Sequence, residues 1–435
     1  SRRFLTGTVA AAVTVLAIAG AIRASGFFHA AAPAVPGPDS TSDDASVEII
    51  PLTQAQPVQE ESDALPDNRF LLSFAGDCTL GVEHTAWGKS GSFPDVVGEN
   101  YAYPLSGVKE LFSRDDFTFV NLECALTSYT VPAEKEYRFR GLPAYGQILT
   151  EGSVEAVTLA NNHSLDYGKT GLAETRQVLE NLGISAGGDG ETFLYTTSRG
   201  LKIGVYTAYH FGRPEIKKAI ESLQAQGAEV IVAAFHAGVE GSYTPSARQR
   251  ELFRYAAECG AHIVYNSHPH VLQPMEQWGE SVILYSMGNF CFGGNRNPSD
   301  KDTAIIQVEV ERQDDGSVQV CGTTVHPCSI SSRSDRNDYR PPLKSPDSDR
   351  AQRLERKLAG TYQPPRRSAM TGRPPPPYLP DKPTSIPKRP PTCCIWNLSP
   401  SPPKGRNPTF CSALPSAAVP ATPAAIPLGS SPKSS

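Results

Sequence analysis

The sequence lacks an excess of basic residues. It contains 40 Lys and Arg against 45 Asp and Glu, which gives a formal net charge of −5. Nucleic-acid-binding domains carry a basic patch or stripe, commonly interleaved with aromatic side chains. No such stripe is present, so we expect no nucleic-acid partner.

The chain also lacks the cysteine pairs of a thiolate zinc site. None of its nine cysteines forms a Cys-x-x-Cys pair, which excludes the common zinc-finger motifs. We expect Cys78, Cys124 and Cys259 to be small buried side chains that pack as apolar residues. If any disulfide forms, Cys321 and Cys328 are the nearest candidates, and the odd count leaves at least one thiol without a partner within the chain.

Two further motifs are missing. Gly168-Lys169-Thr170 resembles the end of a phosphate-binding loop, but that motif requires a glycine at position 163, where this chain has histidine. The Gly-x-Ser-x-Gly elbow of serine hydrolases is also absent. We therefore expect neither ATP-driven ligation nor a serine nucleophile.

The two ends of the chain differ from its middle. Residues 4–22 carry no charge and follow Arg2 and Arg3, which predicts a transmembrane anchor over 1–23 with the rest extracytoplasmic. A cleaved signal peptide is the alternative. Residues 24–66 read as a disordered linker, and residues 346–435 as a mostly disordered tail whose proline-rich character begins near 361.

Strand and helix patterns alternate through the middle of the chain. Apolar runs predict strands over 70–75, 117–120, 154–159, 201–206, 229–235, 262–265 and 282–286, and a hairpin over 303–320. Helices are predicted over 103–112, 172–182, 214–226 and 245–259. This alternation predicts an α/β layered domain over 67–345.

Polar residues follow five of these strands, where open α/β sheets bind their ligands. The predicted metal ligands are Asp77, Glu123, Asn162, His236, His268 and His270. Oxygen and imidazole ligands without thiolate suit Mn²⁺, Fe or Zn²⁺. Six such ligands suffice for two metal ions, and Glu123 is the candidate bridge between them. In an extended chain, His268 and His270 would face the same side.

Each of these residues has a simpler interpretation. Asp77 would also serve as a turn or helix cap, Glu123 as a solvated carboxylate, and His236 as a core histidine. The histidines around Pro269 would also fit an ordinary loop. Glu240 is expected to accept a hydrogen bond from a ligand imidazole, or to be a solvated charge.

Six short motifs, in this order along the chain, resemble those of the poly-γ-glutamate capsule synthesis protein CapA family. They are Ala75-Gly76-Asp77, Asn121-Leu122-Glu123, Leu159-Ala160-Asn161-Asn162-His163, Phe235-His236-Ala237-Gly238-Val239-Glu240, Ser267-His268-Pro269-His270 and Tyr285-Ser286-Met287-Gly288-Asn289-Phe290. The resemblance implies a four-layer αββα sandwich related to the calcineurin-like metallophosphatases, with the six residues above as metal ligands. It also implies that His163 is the catalytic histidine. We further expect Asn121, Asn161, Glu240 and Asn289 to support the ligands. Those phosphatases carry Asp-x-His in the first motif, whereas residue 79 here is Thr, so one ligand is missing.

Three functions remain open from the sequence. The first is an anchored extracytoplasmic protein of poly-γ-glutamate capsule synthesis or export, whose partners would be the anionic polymer and other capsule-synthesis membrane proteins. If this protein is hydrolytic, His163 would protonate the leaving group. The second is a secreted metallophosphoesterase, and the third is a non-catalytic assembly partner with the same fold.

Overall fold

The computed structural model of the protein describes residues 53–54 and 65–364. The predicted anchor, most of the predicted linker and the proline-rich tail lie outside the described residues. Among the residues described, no helix has the length and apolar character needed to cross a bilayer.

The larger of the two main sheets is mixed and has eight strands, in the order β1-β17-β16-β2-β4-β7-β8, with β15 also paired to β2. These strands are β1 (Thr53–Gln54), β2 (Arg69–Thr79), β4 (Phe117–Leu122), β7 (Ala156–Thr158), β8 (Ser185–Gly187), β15 (Asn289–Phe292), β16 (Asp302–Arg312) and β17 (Val318–Ser329). Because β2, β4 and β7 run parallel, their carboxyl ends lie at one edge.

The second main sheet has six strands in the order β13-β14-β12-β11-β10-β9. They are β9 (Glu191–Thr196), β10 (Lys202–Ala208), β11 (Val230–His236), β12 (Ile263–Ser267), β13 (Met275–Trp278) and β14 (Ser281–Leu284). Here β10, β11 and β12 run parallel. A small third sheet contains β3 (Val82–Glu83), β5 (Ala125–Leu126) and β6 (Phe139–Gly141).

The α-helices within the described residues are α1 (Phe93–Val97), α2 (Lys109–Phe112), α3 (Gln147–Glu151), α4 (Gly168–Asn181), α5 (Arg213–Ala225), α6 (Ala247–Glu258) and α7 (Asp349–Leu358). Short 3₁₀ helices form at His84–Ala86 and Pro143–Gly146.

The main sheets pack face to face, with helices on both outer surfaces. One apolar cluster joins the inner faces, where Phe74 and Phe119 of the first sheet contact Tyr265 of the second. A second cluster packs α1 to α4 on the first sheet, and a third packs α5 and α6 on the second. The predicted α/β architecture is confirmed, with four layers in the order helix, sheet, sheet, helix.

Two helix predictions were wrong in their bounds. The helix expected over 103–112 is reduced to α2, and residues 101–108 form turns. Gly107 lies close to the backbone of Pro341, where a Cβ on residue 107 would be 2.5 Å from the carbonyl oxygen. The helix expected from Pro245 begins at Ala247, because Ser246 and Gln249 form a reciprocal capping box.

The ordered domain extends beyond the boundary predicted at residue 345. Helix α7 buries Ala351, Leu354 and Leu358 and packs on β16 and β17. The suggested disulfide between Cys321 and Cys328 was wrong, since both thiols are free. Both residues lie on β17, and a rise of about 3.3 Å per strand residue holds them too far apart to bond.

His326 links the stability of this fold to pH. Its Nε2 lies 2.7 Å from Oε1 of Gln307 on β16. Burial lowers the pKa of this imidazole to about 4, compared with about 6.5 in an unfolded chain. The unfolded state therefore binds more protons between these values. The buried neutral imidazole of His326 therefore makes its full contribution to the unfolding free energy above pH 6.5. This contribution is lost as the pH falls toward 4.

We expect His326→Gln to remove part of this acid sensitivity. Between pH 7 and pH 4.5 the variant should lose about 1–2 kcal/mol less unfolding free energy than the parent, after allowance for partial solvent screening. Urea unfolding at the two pH values measures the difference. His210→Gln is the matched control, because the His210 side chain is 79% exposed. Identical pH dependence in parent and His326→Gln would contradict the assignment.

Candidate metal centre

The carboxyl ends of parallel strands from both main sheets bring the predicted ligands together. Asp77 lies near the end of β2 and Glu123 follows β4, while His236 ends β11. The Asn162 segment follows β7, and the two histidines around Pro269 follow β12. The site therefore forms where the edges of the two sheets meet.

Distances between these side chains are short enough for shared metal ligation. His236 Nε2 lies 2.9 Å from Asn162 Oδ1 and 3.5 Å from Glu123 Oε1. His270 Nδ1 lies 3.1 Å from Asp77 Oδ2 and 3.9 Å from Glu123 Oε2. Three groups among the described residues have ligand atoms within 4.8 Å of one another: Asp77 with Glu123 and His270, Glu123 with His236 and His268, and Glu240 with His268 and His270.

Among the described residues, Glu123 is the carboxylate that belongs to two of the three groups, as the imidazoles of His268 and His270 also do. The Glu123 side chain is 0% exposed, and neither carboxylate oxygen accepts a hydrogen bond from any described residue. Burial raises the pKa of this carboxyl, and the nearby Asp77 carboxylate raises it further. A buried carboxylate without hydrogen bonds is costly, so the position fits a cation-binding role.

The histidines differ in charge preference. Burial lowers the pKa of His236, and burial together with neighbouring His270 lowers that of His268 to about 4. Neutral imidazoles are the form that ligates metals. For His270, burial acts to lower the pKa, but the Glu123 and Asp77 carboxylates outweigh it and raise the pKa to about 10. Nδ1 of His268 is also buried without a hydrogen-bond partner, so a second predicted ligand residue has an unsatisfied polar atom.

His268 and His270 face the site for a different reason than the sequence suggested. They do not lie on an extended strand, because both residues have positive φ angles, 98° and 58°. Positive φ is uncommon for residues other than glycine, and it clusters at functional sites. Asn289 stabilises the turn: its Nδ2 donates to the His270 carbonyl oxygen at 3.2 Å, and its Oδ1 lies 3.0 Å from His270 Nδ1.

The other residues predicted to support the ligands lie at different depths. Asn121 Nδ2 donates to Asp77 Oδ1 at 2.9 Å, and Asn161 Nδ2 donates to Asn121 Oδ1 at 2.9 Å, so both lie behind the ligands. Glu240 instead is exposed on the open side, beside His268 and His270. Thr79, at the position of the missing ligand, donates to the Glu123 carbonyl oxygen.

His163 lies beside the ligands in a network that sequence reasoning missed. Its Nδ1 is 2.7 Å from Oδ2 of Asp166, which is fully buried. Lys135 Nζ donates to Asp166 Oδ1 and to the Asn162 carbonyl oxygen, both at 2.7 Å. Burial lowers the His163 pKa, and the Asp166 carboxylate only partly opposes this effect. The three-residue spacing from His163 to Asp166 could have predicted their contact, because it fits a single turn. No sequence motif near Lys135 predicts that this residue lies at the site.

A second missed contact orients a predicted ligand. Nδ1 of His236 lies 2.8 Å from Ser267 Oγ at the end of the neighbouring strand β12. Such a hydrogen bond on one ring nitrogen sets which nitrogen remains for a ligand. The pairing of His236 with Ser267 in the parallel register brings the two side chains together. Strand register is a property of the whole sheet, so no local sequence motif predicts this contact.

Comparison with known proteins assigns the chain to a family. It is 28% identical over 294 residues to the PGA biosynthesis protein CapA of Bacillus subtilis, covering 60% of this chain and 73% of that one. It is 27% identical over 275 residues to the capsule biosynthesis protein CapA of Bacillus anthracis, covering 56% and 62%. Sulfate thiohydrolase SoxB from Thermus thermophilus is similar in structure at 11% identity and a TM-score of 0.38, covering 63% and 58%. The family model of bacterial capsule synthesis protein PGA_cap matches residues 71–294, more than half of the sequence, and the chain belongs to this family.

Proposed function

We propose that this protein acts in poly-γ-glutamate capsule synthesis or export, and that its candidate site binds divalent metal ions and an anionic substrate. The observation that carries the metal proposal is the buried Glu123 carboxylate, which has no hydrogen-bond donor and is surrounded by imidazoles and a second carboxylate. The capsule role is supported by family membership and by the names of the two Bacillus relatives.

The residues proposed to hold the metal are the six predicted ligands, with Glu240 as a further candidate on the open side. Bound Mn²⁺, Fe or Zn²⁺ would supply Lewis acidity toward phosphoryl or carboxylate oxygens. The protein's own contribution is to fix the ligands: Asn121 holds Asp77, Ser267 holds His236 and Asn289 holds His270.

The proposal is tested with a His268→Ala plus His270→Ala double variant of the whole protein. We expect the parent to retain a divalent metal after dialysis and the double variant to lose it, as measured by elemental analysis. We also expect the double variant to fail to restore polymer production in a capsule-deficient strain. His210→Ala is the control on an exposed histidine. Normal polymer production by a metal-free double variant would instead favour the non-catalytic assembly role.

A metallophosphoesterase activity is the second candidate, and the His163–Asp166 pair favours it. Asp166 fixes His163 through Nδ1, which leaves Nε2 to accept or give a proton at a reacting group. The ring packs on Phe139 at a centroid distance of 4.5 Å, which limits its rotation.

We expect His163→Gln to reduce phosphoester hydrolysis by about a hundredfold or more while the bound metal remains. A panel of phosphomonoesters and phosphodiesters measures the rate, and elemental analysis of the same sample measures the metal. If His163→Gln hydrolyses the panel as fast as the parent, His163 is not the proton-transfer group. If the parent hydrolyses none of the panel, the phosphoesterase candidate is rejected.

We further propose that the domain is extracytoplasmic and anchored by residues 4–22, a segment outside the described residues. The support is the uncharged run behind Arg2 and Arg3. Membrane fractionation of the chain with and without residues 1–23, followed by protease treatment of intact cells, tests this. Recovery of the protein in a protease-protected soluble fraction would reject it.

A further inference from the structure

The loop that bears Glu240 connects β11 to α6 and borders the candidate metal centre. Its residues 239–241 and 244 are exposed, and Val239 beside Glu240 is an exposed large hydrophobic residue. Two hydrogen bonds tie the loop to the histidine turn: Gly241 N donates to the Pro269 carbonyl oxygen at 2.8 Å, and Gln273 Nε2 donates to the Ser242 carbonyl oxygen at 2.9 Å. The position of Glu240 therefore depends on how the rest of the loop is held.

Tyr243 attaches this loop to the segment that leads into β16. Its hydroxyl donates to Asp300 Oδ2 at 2.8 Å, and its ring lies 4.8 Å from the Tyr362 ring, centroid to centroid. Lys357 Nζ lies 5.1 Å from the Tyr243 ring centroid and 5.0 Å from that of Tyr362. The tyrosine is thus held by a hydrogen bond, a ring contact and a cation–π contact together.

Lys357 connects that contact to the C-terminal helix. Its side chain is 1% exposed, and Nζ donates to Asp300 Oδ2 at 2.6 Å and to Asp302 Oδ2 at 2.9 Å. Arg353 also donates to both oxygens of Asp302, at 2.8 and 3.0 Å. The two carboxylates offset the cost of burying the ammonium, and displacing either one would leave a buried charge with fewer partners.

Helix α7 provides a rigid base for the network. Ser348 caps its first turn, and Leu354 and Leu358 are buried in the same apolar cluster that joins the two main sheets. The helix lies outside residues 71–294, the part of the chain that matches the family. The helix that contacts the Glu240 loop through this network therefore lies outside the region matched by the family model.

We propose that α7 is a positioning element for the candidate metal centre, which it serves by holding the Glu240 loop in place through Lys357, Asp300 and Tyr243. The inference rests on the proposed function, because it takes Glu240 to be part of the ion-binding site. An exposed loop must lose conformational freedom when it contributes a ligand, and a loop that is already held has less to lose. Within the described part of the chain, the side-chain hydrogen bonds, ion pairs and ring contacts of Tyr243 and Lys357 go to Asp300, Asp302 and Tyr362 and to each other, so we infer that these two residues act through the loop.

The test is Tyr243→Phe in the full chain, with Tyr206→Phe as the matched control. The control removes a buried hydroxyl that has no hydrogen-bond partner, whereas Tyr243→Phe removes the hydroxyl that bonds Asp300 and leaves the ring. Two readouts are used: hydrogen exchange of the backbone amides of residues 238–243 without metal, and Mn²⁺ affinity by calorimetry. We expect faster exchange in these residues and about tenfold weaker Mn²⁺ binding in Tyr243→Phe, with neither change in Tyr206→Phe.

The outcomes separate this inference from the proposed function. If the parent binds Mn²⁺ and Tyr243→Phe binds it equally well, or if exchange in the loop is unchanged, the positioning role of α7 is rejected and the metal proposal stands. If the parent binds no Mn²⁺, the proposed function fails and the inference fails with it. Lys357→Met is the second variant, and we expect it to bind Mn²⁺ more weakly than the parent. If Lys357→Arg partly restores Mn²⁺ binding, a positively charged side chain at position 357 is required.

Discussion

Replacing Glu123 with glutamine should stabilise the metal-free protein and abolish its response to metal. The carboxylate is fully buried, and its oxygens accept no hydrogen bond from the described residues. A neutral amide of the same shape removes the cost of a buried carboxylate that lacks hydrogen-bond donors, so we expect the unfolding free energy to rise by about 1–2 kcal/mol in chelator-treated protein. The gain is limited because the raised pKa of Glu123 already favours its neutral form.

In the presence of metal, the sign of the effect should reverse. Mn²⁺ at a hundred times its dissociation constant should stabilise the parent by about 2.7 kcal/mol. Loss of the central anionic ligand should weaken binding about a thousandfold, so Glu123→Gln should gain almost nothing. Urea unfolding of both proteins with chelator and with Mn²⁺ measures both effects.

Glu110→Gln is the matched control for this change. The Glu110 side chain is 81% exposed, and its pairing with Arg114 is a surface contact, so we expect changes within about 0.5 kcal/mol under both conditions. A Glu123→Gln variant that is less stable than the parent without metal would show that the carboxylate is satisfied by the protein alone. In that case the main argument for a cation at this position is lost.

Gly76→Ala should be strongly destabilising for the addition of a single methyl group. A Cβ at this position would lie 1.9 Å from the Gly288 carbonyl oxygen and 2.6 Å from that of Met287. Both atoms belong to the backbone, so no side chain can rotate away. The segment is also tied to β2 by the 2.8 Å hydrogen bond from Asp77 N to the Gly288 carbonyl oxygen. We expect a loss of at least about 3 kcal/mol in unfolding free energy.

Gly322→Ala is the control for Gly76→Ala. Gly322 lies within β17, and the nearest atom to an added Cβ there is Glu309 Oε2 at 3.8 Å, an ordinary contact. We expect this variant to match the parent or gain up to about 1 kcal/mol, because alanine restricts the unfolded chain. Chemical unfolding of the three proteins gives the comparison. If Gly76→Ala were as stable as the parent, the close approach of β2 to the Gly288 segment would be wrong.

The effect of Gly76→Ala should extend to the metal centre. Asp77 and Asn289 are register partners across β2 and β15, so separating the two segments moves a predicted ligand away from the residue that holds His270. Reduced metal retention by the folded fraction of Gly76→Ala is the expected consequence. Such a loss would be caused by altered backbone spacing, since no ligand side chain is changed.

The sequence by itself determined the strand-end residues of the site and the α/β alternation. Apolar runs that break into Asp, Glu, Asn or His are local signals, because a parallel strand must be buried while its end meets solvent or ligand. These signals predict Glu123, His236 and the two histidines around Pro269 as candidate ligands from the sequence alone. The same local signals misplaced the start of α6, because the capping box of Ser246 outweighed the proline before it.

Tertiary structure alone decided how those residues are used. The positive φ angles of His268 and His270 are a backbone strain that only the packed fold sustains. Two contacts join segments distant in sequence: Lys135 pairs with Asp166, and Tyr243 of the Glu240 loop bonds Asp300. Local propensity carries no information about such contacts, because their energy arises only when the two sheets pack and water is excluded. For that reason the candidate ligands could be predicted from the sequence, whereas the missing hydrogen bonds of the Glu123 carboxylate and the residues around it are visible only in the fold.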